Sequence, residues 1–212
     1  MKDITKQLMK INHFKNLTSV QEDVLHHAEL NEDLIVLAPT GTGKTHAVLF
    51  SILARINLEE ETLQAVILAP TRELAMQILD FTQTVRKVDN RFKAELAIGG
   101  MDTKRLTTRL EKQPHVLIAT PGKLLDVLGL SILRLDTVKL LIIDEMDMMF
   151  DYGFIEDIND IASRFLDTTR MMLFSATLPN GLNHFIKKYL KNPVQIKSED
   201  KQFEPKIEHY LI

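Results

Sequence analysis

The sequence predicts an α/β protein built on a parallel sheet of about seven strands with helices on both faces. Two observations carry this expectation. Seven short apolar runs alternate with segments whose apolar residues recur every three or four positions, the pattern of strands buried on both faces and joined by covering helices. The first run also leads directly into Ala38-Pro39-Thr40-Gly41-Thr42-Gly43-Lys44-Thr45, a glycine-rich strand-to-helix turn of the kind that cradles phosphate in such sheets.

Taken in order, Ser19-Val20-Gln21-Glu22 reads as a capping box that opens a helix through Val24 and Leu25. The strands are expected at Leu34 to Ala38, Ala65 to Ala69, Ala94 to Ile98, Val116 to Ala119, Leu140 to Ile143, Met171 to Phe174 and Val194 to Ile196. Leu74, Ile78, Phe81 and Val85 mark one helix, and Ile155, Ile158, Ile161, Ala162 and Phe165 another, each with a single buried face. Open sheets of this type bind ligands at the carboxyl ends of their strands, so the residues just after each run are the ones to search. A polar stretch from Lys197 to Lys206, followed by an apolar start at Tyr210-Leu211-Ile212, is the one candidate boundary.

Composition narrows the function. At 212 residues, 45% hydrophobic and 26% charged, the chain fits one large globular domain. No apolar run has the length of a membrane span and no basic start precedes an apolar block, so the expectation is a cytoplasmic protein without a membrane partner. With no cysteine, disulfides, thiolate metal sites and thiol nucleophiles are excluded. A net charge of −3 predicts no general affinity for nucleic acid, so such a partner must be held by local sites.

Gly41 and Gly43 let the backbone of the loop turn tightly enough for several N–H groups to face one anion. Lys44 is placed to reach β- and γ-phosphates, with Thr40 and Thr42 in the same loop and the Thr45 hydroxyl on Mg²⁺. Leu140-Leu141-Ile142-Ile143-Asp144-Glu145 is an apolar strand ending in two carboxylates. Asp144 is expected to hold the same Mg²⁺ and Glu145 to orient and deprotonate the attacking water. The remaining features have structural readings. Met148, Met149, Met171 and Met172 are read as packing, His26 and His27 as facing different directions, His46 as helix surface, and Lys187, Lys188 and Lys191 as a solvated face.

With these residues in place, the chain resembles the N-terminal RecA-like domain of DEAD-box RNA helicases over essentially its whole length. Phe14-Lys15-Asn16-Leu17-Thr18-Ser19-Val20-Gln21 is similar to the family's Q motif, which implies that Phe14 stacks on adenine and Gln21 pairs with its edge. The phosphate loop matches the family's form beginning with Ala. Pro70-Thr71-Arg72-Glu73-Leu74-Ala75 resembles motif Ia, Gly99-Gly100 the glycine doublet and Thr120-Pro121-Gly122-Lys123 motif Ib, all of which imply contacts to the RNA backbone. Ser175-Ala176-Thr177 resembles motif III, implying that Ser175 and Thr177 couple hydrolysis to strand separation through Asp147. The acid motif reads Asp144-Glu145-Met146-Asp147, with Met where the family has Ala, and Lys123 stands where Arg is usual.

The resemblance implies ATP and Mg²⁺ as cofactors, RNA as partner, and hydrolysis of ATP coupled to duplex unwinding or remodelling of RNA–protein complexes. It divides the chain into 1–197, a RecA-like ATP-binding domain with a leading Q-motif region, and 198–212, a linker and the start of a second RecA-like domain. The rival of another class is a nucleotide-gated RNA clamp without efficient turnover, against which Glu145 weighs because a clamp needs no general base. A GTPase is disfavoured by the lack of an Asn-Lys-x-Asp signature.

Overall fold

The computed structural model describes residues 3–11, 16–39 and 41–198. Phe14, Thr40 and the stretch from 199 onward, including most of the expected boundary, lie outside the described residues.

Helices α1 (Asp3–Ile11) and α2 (Ser19–Glu29) precede strand β1 (Leu34–Leu37), after which strands and helices alternate. In order these are α3 (Lys44–Arg55), β2 (Ala65–Leu68), α4 (Arg72–Thr82), β3 (Ala94–Ala97), α5 (Thr103–Leu110), β4 (Val116–Ala119) and α6 (Pro121–Gly129). Then follow β5 (Leu140–Ile143), α7 (Met146–Asp151), α8 (Ile155–Ser163), β6 (Arg170–Ser175), α9 (Asn183–Tyr189) and β7 (Val194–Lys197). The seven strands form one sheet in the order β3-β4-β2-β5-β6-β1-β7, and every neighbouring pair is parallel. All the expected strands are present, with ends shifted by a residue.

Alternation along each strand sorts the core into two layers. Leu34, Val36, Ala65, Ile67, Leu140 and Ile142 pack with the apolar faces of α2, α3 and α4. Ile35, Val66, Leu68, Leu141 and Ile143 pack with those of α5 to α9. This explains why the strand runs are continuously apolar, since a residue on either face meets a helix. Met149, Met171 and Met172 are buried in these layers, as their sequence context suggests. Met146 is also fully buried, so its extra volume relative to Ala lies inside the second layer and away from solvent.

Capping residues set where the helices begin, and one start differs from expectation. Thr18, not Ser19, is the N-cap of α2, and Gln21 occupies N3, so the capping box is shifted by one residue. Thr18 and Gln21 exchange the reciprocal bonds, at 3.4 Å to the Gln21 N–H and 3.0 Å to the Thr18 N–H. Thr71 caps α4 and Asp102 caps α5, each accepting from a backbone N–H three residues on. The helix marked by Leu74 to Val85 ends as α4 at Thr82, and Val85 falls in a 3₁₀ turn, Gln83–Lys87.

Sequence inspection passed over Asp33, which fastens the amino-terminal edge of the sheet. Its side chain is 2% exposed. Oδ1 accepts from the Met171 N–H at 2.9 Å and Oδ2 from the Lys191 N–H at 2.6 Å, so one carboxylate ties the approach to β1 to β6 and to the loop before β7. Asp33→Ala leaves two buried backbone donors unpaired, and the expected loss in urea unfolding is about 2 to 5 kcal/mol. A loss below about 1 kcal/mol would show that water replaces the carboxylate.

Candidate active site and adjoining groove

Because all seven strands run in one direction, their carboxyl ends form one edge, and every sequence motif that follows a strand is delivered to it. Strand order then separates the motifs. The loops after β1, β5 and β6 are neighbours on one side, and those after β2, β4 and β3 are neighbours on the other.

On the first side, the phosphate loop leaves β1 and enters α3 through Gly43, which has φ 89° and serves as N-cap. A Cβ at Gly43 would strike the Gln21 amide, so both conformation and space require glycine here. Gln21 is 3% exposed. Its Nε2 donates to the Gly43 carbonyl at 3.3 Å, and the Thr18 hydroxyl donates to the Thr42 carbonyl at 3.3 Å. The Thr42 hydroxyl donates back to the Pro39 carbonyl at 2.8 Å. The capping box of α2 is therefore also a brace for the phosphate loop. Both ends of the Gln21 amide are occupied within the chain, and Thr18 is a loop-holding residue that sequence reading missed. The Thr-x-x-Gln spacing was the signal.

Lys44 is buried, with 6% exposure, whereas Thr45 is exposed at the start of α3. The Lys44 ammonium meets Glu145 Oε1 at 2.9 Å, joining the loops after β1 and β5. Glu145 itself has φ 50° and ψ 52° as the N-cap of α7, a left-handed conformation that costs a non-glycine residue of order 1 to 3 kcal/mol and turns its side chain away from the helix path. Asp144 is 8% exposed. Burial first, and then the neighbouring Glu145 charge, push its carboxyl up to about 6, against the opposing pull of Lys44. The Glu145 N–H donates to Asp144 Oδ1 at 3.0 Å, which also favours the charged form.

Asp147 is clamped by the end of β6. Its Oδ2 accepts from the Ala176 N–H at 3.1 Å, the Thr177 N–H at 3.0 Å and the Thr177 hydroxyl at 3.1 Å. Its own N–H donates to the Ser175 hydroxyl at 3.1 Å. Burial pushes this carboxyl up, but the bonds from Thr177, Ser175 and the Met148 N–H outweigh it and hold the carboxyl below its ordinary value.

On the other side the structure gathers Pro70, Thr71, Arg72, Glu73, Gly99, Thr120, Pro121, Gly122 and Lys123 around one groove, with Asp126 and Phe154 completing the wall. The Arg72 guanidinium lies flat against the Gly99-Gly100 doublet, where a Cβ on Gly99 would come within 2.8 Å of it and one on Gly100 within 3.2 Å. The amino ends of α4 and α6 both open here, so backbone N–H groups and helix dipoles face the groove. Lys123 lines the same groove. It is 9% exposed, and its ammonium donates to the Thr103 hydroxyl at 3.3 Å and lies 3.8 Å from Asp126.

Among the described residues no group of three or more His, Asp or Glu side chains could hold a metal ion. The rings of His26 and His27 meet edge to face at 5.1 Å, although the side chains leave the helix in different directions. His46 is packed edge-on against Phe81 at 4.2 Å, and burial holds its imidazole below the usual value.

Comparison with known proteins accords with this geometry. Residues 18–185 match the family model described as DEAD/DEAH box helicase. The DEAD-box ATP-dependent RNA helicase CshB of Bacillus cereus is 40% identical over 203 residues, covering 94% of this chain and 47% of that protein. CshB of Bacillus subtilis is 38% identical over 202 residues, covering 94% and 46%. The crystal structure of a DEAD box protein from Methanococcus jannaschii superposes with a TM-score of 0.87 at 30% identity, over 93% of this chain and 54% of that one. The chain thus spans about half the length of the relatives it matches, and in those residues it carries a RecA-like fold with a phosphate loop, an acid pair and a clamped third carboxylate at one sheet edge. The chain belongs to the DEAD/DEAH box helicase family.

Proposed function

We propose that this chain is the nucleotide-binding half of an ATP-dependent RNA helicase acting in the cytoplasm, in which hydrolysis of the β–γ bond of ATP drives local unwinding or remodelling on RNA. The observation that supports it most is the 2.9 Å pair between Lys44 and Glu145, two residues 101 apart in sequence. One neutralises phosphate charge and the other accepts a proton, and the fold puts them in contact at the ligand-binding edge.

The mechanism follows from that pair. Incoming β- and γ-phosphates compete with Glu145 for the Lys44 ammonium. Once released, the Glu145 carboxylate accepts a proton from the attacking water as its oxygen bonds to the γ-phosphorus and the bond to the β–γ bridging oxygen breaks. The loop amides between Gly41 and Thr45 hold the phosphates in place. Gln21 and Phe14 are assigned to adenine by resemblance, and because the same Gln21 amide donates to the Gly43 carbonyl with one N–H to spare, base recognition and the phosphate loop would share one side chain.

A divalent cation fits the residues present. Asp144 is a buried carboxylate at the end of β5, an oxygen ligand of the kind a hard divalent cation takes, and Thr45 is exposed at the start of α3. With no multi-carboxylate cage among the described residues, the coordination shell would be completed by phosphates and water, the habit of Mg²⁺. When bound, Mg²⁺ neutralises charge on the β- and γ-oxygens.

The groove supports a phosphate-backbone ligand. Two helix amino ends and Arg72, which has no ion-pair partner among the described residues, offer donors without reading bases. Asp147, clamped to Ser175 and Thr177, is proposed to pass the state of the acid pair toward β6. A second RecA-like domain, beginning beyond residue 198, is proposed to supply the rest of the RNA track and an arginine for the transition state.

Lys44→Ala is expected to weaken ATP binding at least tenfold. Glu145→Gln is expected to preserve or tighten binding, because the competing carboxylate charge is gone, while hydrolysis by the two-domain protein falls about 10² to 10⁴-fold. Nucleotide titration and single-turnover rates decide the matter, and equal losses of affinity in both variants would remove the role assignment.

The Asp144 carboxyl gives a pH dependence of definite sign. Its folded value of about 6 lies above the ordinary 3.8, so its contribution to stability is full below pH 4 and is lost as pH rises through 6. Without nucleotide and Mg²⁺, Asp144→Asn is therefore expected to be more stable than the parent at pH 8, by up to about 3 kcal/mol. The advantage should vanish near pH 4. A variant less stable at pH 8 would show that the carboxylate is already well paired.

Residues 1–212 alone are expected to bind ATP yet hydrolyse it slowly and without stimulation by RNA. The same chain extended through a second domain should gain about 10³ to 10⁵ in rate, the usual worth of an arginine supplied across the cleft. Strong RNA-stimulated turnover by the short chain would place the missing cation within this sequence.

A further inference from the structure

The groove is poor in usable charge. Arg72 faces it freely, but Glu73 and Asp126 line it with negative charge and the Lys123 ammonium is spent on Thr103 and Asp126. Simple attraction to phosphates is therefore a weak source of affinity here, and a second kind of contact is called for.

An aromatic pair stands at the α7–α8 junction, and one of its rings lines the groove. Phe154 forms part of the wall. Gly153, at φ 79°, reverses the chain between α7 and α8, and this turn brings the Tyr152 ring edge to face against Phe154 at a centroid distance of 6.3 Å and an angle of 84°. Phe154 is anchored against the second core layer, whereas Tyr152 is 56% exposed and its hydroxyl has no hydrogen-bond partner among the described residues. A large exposed ring set at right angles to a partly buried neighbour that itself lines the groove has the geometry of a stacking platform.

Building on the RNA reading of the groove, we propose that Tyr152 stacks on a nucleobase of single-stranded RNA whose backbone lies along Arg72, Gly99 and the amino ends of α4 and α6. Stacking tolerates any base, so it adds affinity without sequence preference. It also reaches the chemistry, because Tyr152 is the C-cap of α7, the six-residue helix whose first turn carries Asp147.

The experiment is a titration of the two-domain protein with single-stranded oligoribonucleotides carrying 2-aminopurine at successive positions, beside oligonucleotides abasic at the same positions. Tyr152→Ala, Tyr152→Phe and Arg72→Ala are compared, with thermal melts as a folding control. Tyr152→Ala is expected to weaken binding about 5- to 100-fold and to remove the fluorescence quenching at one position. Tyr152→Phe should keep both. On the oligonucleotide abasic at that position, Tyr152→Ala should have no further effect, and the dependence of affinity on salt should be unchanged because no phosphate contact is lost. Unaltered affinity and quenching in Tyr152→Ala, or an equal loss on the abasic strand, would overturn the stacking role. If Arg72→Ala still weakens binding in that case, the RNA reading of the groove stands. If neither variant alters binding, both readings fall.

Discussion

Three carboxylates, Asp144, Glu145 and Asp147, crowd the end of β5, and the fold depends on giving each a different electrostatic solution. Asp147 is solved by hydrogen bonds from the end of β6. Glu145 is solved by the Lys44 ammonium. Asp144 has no ion pair among the described residues and accepts only the Glu145 N–H, and burial beside a like charge pushes it toward its neutral form. Since desolvation penalises an unpaired charge more than almost any other local feature, the site is stable without ligand only because two of the three are paired. Under the proposed function the third, Asp144, would be where a divalent cation attaches, and its binding would relieve the crowding of like charge.

Sheet order places the glycine-rich loop after β1 and the groove on opposite sides of β5. The phosphate loop lies two strands away through β6, and the groove begins one strand away at β2. Helix α7 leaves the end of β5 with Glu145 as its cap, Asp147 in its first turn and Tyr152 at its far end. At 1.5 Å per residue, six residues span about 9 Å. Under the proposed function, a shift at the acid pair would reach the groove wall through this one short element, with β6 as the reference against which Asp147 registers. The left-handed backbone of Glu145 makes this junction costly to hold, which is where a two-position element would be expected.

The strands were legible because burial on both faces leaves no room for polar residues in a parallel sheet, and the motifs were legible because chemistry restricts residue type at strand ends. What escaped the sequence shares one cause, namely side chains whose partners come from distant segments. Asp33 looks like a loop residue until Met171 and Lys191 arrive. Thr18 and Ser19 are equivalent as caps on local grounds, and contact with Thr42 and Gly43 accompanies the choice of Thr18 and Gln21. Lys123 reads as a phosphate ligand by position, yet the fold surrounds it with Thr103 and Asp126. Tyr152 sits in a run of Met, Phe and Asp where nothing distinguishes a buried ring from an exposed one.

The net charge of −3 and the thin positive charge of the groove also bear on how tightly such a domain should hold RNA by itself. Backbone amides at two helix starts and one guanidinium without an ion-pair partner among the described residues give orientation more than strength, and under the proposed function a groove of limited strength would suit an enzyme that must release its product. If a second domain closed over the same strand only when nucleotide favoured closure, a weak groove would become the means of nucleotide control. A strongly basic groove would instead bind RNA in every nucleotide state and leave ATP nothing to regulate. Under that proposal Glu73 and Asp126, which look misplaced beside an RNA track, would keep the resting affinity low.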